Sequence, residues 1–233
     1  MDTPFLTGDL LHLRPHSPAD LDAGWNQWFN DPAVTRYMYK GTFPTTRQDQ
    51  AAYLERLGEM NRAGTHLQLA VVDRETGIFG GVASLSNIDW VNRSAEIAIV
   101  MGVARMRTRP HSLEAMALLL HHGFATLRLN RIWAGQHVGL RRWKGALERH
   151  FAGVTEGVRR QAMFKDGRYH DVVVISTLAA DWWRRWELAG GSVAALLRNP
   201  APAAKPDAES ARRVAVHPLE DGAAAREPVT VRC

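Results

Sequence analysis

SAEIAIVMGVARMRTRPHSLEAMALLLHHGFATLRLNR, residues 94–131, is the stretch whose reading decides the architecture. Ala95 to Val100 sets one charged side chain, Glu96, among aliphatic and β-branched residues, the make-up of a strand buried over most of its length. Residues 102–111 carry no apolar period; Arg105, Arg107 and Arg109 stand there at alternate positions. From Ser112 onward, Leu113, Met116, Ala117, Leu120, Phe124 and Leu127 recur at i, i+3, i+4, i+7 spacing and predict an amphipathic helix. A strand feeding a helix through a basic loop is an anion-binding arrangement. The first N–H groups of the helix have no partner inside it and amount to about half a positive charge, to which the arginines add full ones.

Outward from this unit the chain falls into recognisable segments. Leu10 to Arg14 alternates and stops at Pro15, as a first strand would. Ser17-Pro18 followed by Asp20 marks a helix start; Leu21, Trp25, Trp28 and Phe29 share its face until Asn30-Asp31-Pro32 ends it. Thr45 or Thr46 caps a second helix reaching about Ala63, with Tyr53, Leu54, Leu57 and Met60 aligned. Leu67 to Asp73, Gly81 to Ser86 and Ala95 to Val100 read as an antiparallel meander of three strands. Arg131 to His137 is a strand parallel to its predecessor, because a helix must cross over between them. A helix over Leu140 to Phe151 and a hairpin turning at Lys165-Asp166-Gly167 follow. Asp181 to Leu197 is helical with a break at Gly190-Gly191, and from Asn199 the chain is rich in Pro, Ala, Glu and Arg without an apolar period. The expected division is a domain over 1–180, a helical extension over 181–198 and a disordered tail over 199–233.

Composition narrows the function classes. A chain of 233 residues that is 45% hydrophobic can bury one full α/β core. Its one cysteine, Cys233, excludes an internal disulfide and suits a reducing cytoplasm. No apolar run approaches the roughly 20 residues of a membrane span, and MDTPFLTGDL lacks the regions of a signal peptide. The net charge of +5 suits an anionic partner, but a charge of this size is common among arginine-rich proteins, so nucleic acid is not the expectation. His121 and His122 are adjacent on a helix and point apart, no Cys/His cluster exists, and there is no GxGxxG, Walker or GxSxG motif, so no metal is expected.

The strand, loop and helix of residues 94–131 resemble the acetyl-CoA-binding core of the GNAT N-acyltransferases, most closely the branch of Rim-type ribosomal-protein and amino-sugar acetyltransferases. Glu96-Ile97-Ala98-Ile99 matches the Glu-bearing strand, Arg107 to Ser112 the loop Q/R-x-x-G-x-G/A, and Glu114-Ala115 the start of the helix. Pro110 and Ser112 stand where that loop has glycines. Glycine lets backbone approach a pyrophosphate, whereas proline has no N–H to donate. WFNDPAVTRYM, from Trp28, is similar to the family's substrate-side segment, and residues 87–96 resemble the NIDxxNRSAE run of amino-sugar acetyltransferases. Residues 140–151 match N-x-R-(S/A)-x-x-x-(L/Y)-E-K at Arg142 and Glu148, with Leu140 in place of the asparagine and Leu147 in place of a tyrosine that often protonates the leaving thiolate. EGVRRQAMFKDGRYHDVVVIS, residues 156–176, is very close to the family's final hairpin.

What the resemblance implies is an α/β GNAT fold: a mixed central sheet with an antiparallel N-terminal meander, two central parallel strands that splay apart, and flanking helices. It further implies transfer of acetyl from acetyl-CoA to a primary amine, an amino sugar or a protein N-terminus, without a metal, by a monomer or homodimer. The backbone at Ile99, Val100 and Met101 would hold pantetheine and the oxyanion. Arg107, Thr108, Arg109, His111 and Ser112 would hold the pyrophosphate, and Arg142 the 3′-phosphate. Glu96 would be the base, Tyr37, Asp89 and Asn92 would bind the acceptor, and His66 or His137 could relay protons. The joint loss of the loop glycines, the asparagine and the tyrosine also fits a second expectation, a GNAT-fold binding or assembly module that no longer catalyses.

Overall fold

In the computed structural model, residues 3–107 and 109–202 are described; Thr108, the side chain of Arg109 and the tail from 203 lie outside the described residues. One eight-stranded sheet organises them: β1 (Leu6–Thr7), β2 (Leu11–Arg14), β3 (Leu67–Asp73), β4 (Phe79–Asp89), β5 (Ser94–Met101), β6 (Arg131–His137), β7 (Val154–Lys165) and β8 (Arg168–Leu178). The spatial order is β1-β2-β3-β4-β5-β6-β8-β7. Every neighbouring pair is antiparallel except β5 and β6, which are parallel. The crossover between them is α4 (Arg109–Ala125), as the single parallel pair requires.

Helices cover both faces. On one, α4 packs with α5 (Arg141–Phe151), α6 (Ala179–Ala189) and α7 (Val193–Arg198) over a core that includes Leu11, Leu85, Ile97, Leu119, Ile132, Phe151 and Trp182. On the other, a 3-10 turn (Pro18–Leu21), α1 (Trp25–Trp28) and α3 (Arg47–Arg62) bury Leu21, Trp25 and Trp28 against Phe79 and Val82. Thr46 caps α3 reciprocally with Asp49, the arrangement its sequence signals. The hairpin turns at Asp166-Gly167, both with positive φ (51° and 77°), as a two-residue turn between twisted strands demands.

Three expectations need adjustment. The helix expected from Ser17 is two pieces, because Gly24 sits at φ 82° between them. The short α2 (Pro32–Thr35), capped by Asp31, follows immediately. The helix expected from Ser112 begins at Arg109, so Pro110 lies in its first turn, where its fixed φ is tolerated and the missing N–H would have been unpaired anyway. The two-residue strand β1 carries no period that sequence could reveal.

Buried imidazoles set an acid limit on this fold. His16, His66, His121 and His122 are all held below the ordinary value of 6.5, burial being the largest cause in each. A histidine kept neutral in the folded state binds more protons when unfolded, so the stability it contributes is present above pH 6.5 and is lost as pH falls through the lowered values. The expected result is a Tm that falls steadily from about pH 7 to pH 5 in differential scanning calorimetry; a flat profile would contradict it.

Candidate functional site

The pairing of β5 with β6 is short. It joins Ser94 to Arg131, Ala95 to Ile132 and Glu96 to Trp133, and then stops. Beyond that point β5 stays bonded to β4 and β6 to β8, so the facing edges, from Ile97 and from Ala134, diverge with no strand between them. The gap opens into a cleft of about 530 Å³, the size class of a small-molecule site. Unpaired edge groups on the walls of an apolar cleft are ready hydrogen-bonding partners for an extended ligand.

At one end the cleft reaches the start of α4. Arg107 and Ser112 line it there, as do Ile99, Val100 and Met101 along β5. The basic loop is anchored from outside: Asp73, at the end of β3, meets Arg105 at 3.6 Å and the Nε2 of His111 at 3.3 Å. Hydrogen bonds led by the Thr76 hydroxyl hold the Asp73 carboxyl below its ordinary range. The ring of His111 is thereby engaged with Asp73, and Arg107 is the guanidinium that faces the cleft. Pro110 is exposed and is not among the lining residues. Arg142 is exposed on the first turn of α5, outside the lining. Thr108 and the Arg109 side chain lie outside the described residues.

Glu96 lies where the two strands part. It is half-buried, lines the cleft, and accepts a hydrogen bond from the Asn87 carboxamide at 3.2 Å. That donor is aimed by an irregularity in β4: the register with β5 shifts between Ser86 and Asp89, and Asn87 takes a left-handed φ of 50°. Bulges commonly re-aim a side chain beside a site. Asn87 was not among the expected site residues, although the segment it opens was.

Asp89 and Asn92 stand apart from the cleft. Asp89 accepts the backbone N–H groups of Val91 and Asn92 and the Asn92 carboxamide, at 3.0, 2.9 and 2.7 Å. The pair closes its own turn. Tyr37 does line the cleft, its ring 5.0 Å from that of His137. His137 accepts the Gly139 N–H on Nδ1 at 2.9 Å, so in the neutral ring Nε2 carries the proton. Burial first, then the positive field of His170, Arg168 and Arg36, holds His137 below the ordinary imidazole value. His66 is not among the lining residues, and Leu147 is buried in the core beneath.

One further wall residue is chemically conspicuous. Gln136, on β6, is 7% exposed and lines the cleft, yet its Oε1 is buried without a hydrogen-bond partner among the described residues. Such a group costs stability unless something occupies it. Among the described residues no group of three His, Cys, Asp or Glu side chains could hold a metal, and no helix is long and apolar enough to cross a membrane.

The profile of the acetyltransferase (GNAT) domain matches residues 11–149, more than half of the chain and the whole of the splayed unit. The chain belongs to the GNAT acetyltransferase family. Among curated GNAT relatives it is 31% identical over 106 residues to YdaF of Bacillus subtilis (strain 168), a supposed ribosomal N-acetyltransferase by its name. That match covers 46% of this chain and 57% of YdaF, so it spans little more than half of that relative. It is 30% identical over 125 residues to the uncharacterized N-acetyltransferase p20 of Bacillus licheniformis, covering 53% of this chain and 68% of that protein. Among solved structures, spermidine N-acetyltransferase from Vibrio cholerae in complex with CoA and spermine superposes with a TM-score of 0.67 at 20% identity, over 76% of this chain and 99% of that one. At such identity the likeness speaks for the GNAT fold, which the mixed sheet and splayed strands share.

Proposed function

We propose that this GNAT chain is an N-acetyltransferase that moves an acetyl group from acetyl-CoA to a primary amine by direct attack on the thioester. The observation that carries the reading is the gap between β5 and β6, open from Glu96 onward and leading to the start of α4. Support comes also from the solved neighbours that hold CoA, such as the Vibrio cholerae spermidine enzyme.

The chemistry asked of these residues is modest. Glu96 takes a proton from the ammonium, directly or through a water, and the freed amine attacks the thioester carbonyl. N–H groups on the open edges stabilise the oxyanion. Collapse breaks the C–S bond; the thiolate, of ordinary pKa near 8.5, needs little help to leave, which lessens the consequence of Leu147 standing where a tyrosine acid could be. The balance is ammonium plus thioester giving amide, thiol and one proton to solvent.

The rival reading, a module that has lost catalysis, rests on the missing loop glycines. Its steric part is weak, because Pro110 points to solvent in the first turn of α4 and Ser112 keeps its N–H at the cleft. Titration calorimetry with acetyl-CoA tests both readings: micromolar binding is expected, and no heat at millimolar ligand would reject the enzyme. Pantetheine carries two amides able to meet the unpaired Gln136 carbonyl. Gln136→Leu is therefore expected to weaken acetyl-CoA binding about tenfold, while Tm holds or rises because a buried unpaired oxygen is removed. Unchanged affinity would leave Gln136 without that role.

A further inference from the structure

Where β6 ends at His137, the cleft is bordered by two further pieces of chain. The hairpin of β7 and β8 reaches over the segment that follows α2, and the Lys165 ammonium donates to the Lys40 carbonyl at 2.8 Å. A run of side chains joins the two pieces: Arg36 over the Tyr37 ring at 5.3 Å, Tyr37 to His137 at 5.0 Å, His137 to His170 at 4.5 Å. His170 closes the circuit, with Nε2 3.3 Å from the Lys165 carbonyl. Lys40 lines the cleft here, Arg36 and Lys165 stand beside it through these contacts, and Arg168 acts electrostatically on His137, which brings four full positive charges to this region.

None of the four makes an ion pair with an acid among the described residues, although six such pairs are made by other lysines and arginines. Of the three carboxylates on the hairpin, Glu156 pairs with Arg131, Asp171 accepts the Gln161 backbone N–H at 2.8 Å, and Asp166 sits exposed in the turn. Along the cleft itself Glu96 is the one acid, at the point where the strands part. Positive charge is felt inside as well, since Arg168, Arg36 and His170 all act on the buried His137. Low-dielectric walls focus such a field onto whatever enters.

The geometry points to an acceptor whose amine goes to Glu96 while an anionic group on the same molecule, a carboxylate or a phosphate, is held at the rim formed by Arg36, Lys40, Lys165 and Arg168. The inference rests on the acetyl transfer proposed above. A polyamine is disfavoured by the same arrangement, because its second ammonium would lie among four like charges with the exposed Asp166 as the nearby carboxylate.

The test uses the full chain, acetyl-CoA and four amines of matched length: 2-aminoethyl phosphate, β-alanine, propylamine and 1,3-diaminopropane. Thiol release is followed for each. The two anionic amines are expected to exceed propylamine in kcat/KM by about tenfold, and 1,3-diaminopropane to fall below it; whichever of phosphate and carboxylate leads identifies the source of the anion. The double variant Arg36→Glu with Arg168→Glu, both exposed side chains, is expected to reverse the ranking while the Kd for acetyl-CoA stays unchanged. An even ranking, a preference for the diamine, or no turnover of any of the four by a chain that does bind acetyl-CoA would each overturn the inference. Failure to bind acetyl-CoA would instead remove the reaction on which it rests, and calorimetry separates that outcome from the others.

Discussion

Glu96→Gln is expected to lower kcat by about a hundred- to ten-thousand-fold while the Kd for acetyl-CoA stays within about a factor of two. The reasoning begins with what the substitution leaves intact. Glutamine has the same shape and keeps an oxygen to accept the Asn87 carboxamide, the one hydrogen bond the Glu96 side chain makes among the described residues. The strand is held by backbone pairs, Glu96 with Ser86 on one side and Trp133 on the other, so the point where the gap opens does not move. What is lost is the capacity to take a proton from the ammonium. A structural carboxylate would behave differently: its replacement would lower Tm and spare turnover. Steady-state kinetics beside thermal unfolding therefore decides the role, and a loss in kcat below about tenfold would return Glu96 to scaffolding. Asn87→Ala should cost less, about tenfold, by freeing the carboxylate to rotate.

Much of the frame could be read from local chemistry. Thr45 or Thr46 announces the start of α3, Lys165-Asp166-Gly167 the hairpin, and the aliphatic period of α4 the crossover that makes β5 and β6 parallel. Each of these signals lies within a few residues. The wall of the candidate cleft was legible where it lies along one strand, as for Glu96, Ile99, Val100 and Met101. It was not legible where distant pieces meet. Asn87 turns toward Glu96 through a bulge whose presence depends on the partner strand. Gln136 becomes conspicuous once its neighbours are seen to offer it no partner. The basic rim combines Arg36 and Lys40 with Lys165 and Arg168, over a hundred positions away in the chain. Asp89 and Asn92 lie outside the lining for the opposite reason: their polar groups satisfy one another inside a single turn.

Glu114→Ala is expected to destabilise the fold by about 3 kcal/mol or more, the largest stability loss of any single polar substitution considered. The family resemblance places Glu114-Ala115 at the start of the helix, but α4 starts at Arg109, so Glu114 stands beyond its first turn and makes its contacts elsewhere. The side chain is 2% exposed and accepts the backbone N–H groups of Asp9, Leu10 and Leu11 at 2.7, 2.9 and 2.9 Å. It thus fastens the turn between β1 and β2 to the helix that borders the cleft. Alanine would strand three donors, the Leu11 N–H buried and those of Asp9 and Leu10 partly so. The neighbouring Gly8 belongs to the same clamp: a Cβ there would stand 2.5 Å from the Glu114 carboxyl carbon, so Gly8→Ala should displace the carboxylate and reproduce part of the loss. Chemical denaturation of both variants measures this, with Glu114→Gln as the control that keeps one acceptor oxygen. If Glu114→Ala unfolded within about 1 kcal/mol of the parent, the clamp would be dispensable, and the position of α4 beside the cleft would have to be set by the apolar contacts of Leu113, Met116 and Leu120 alone.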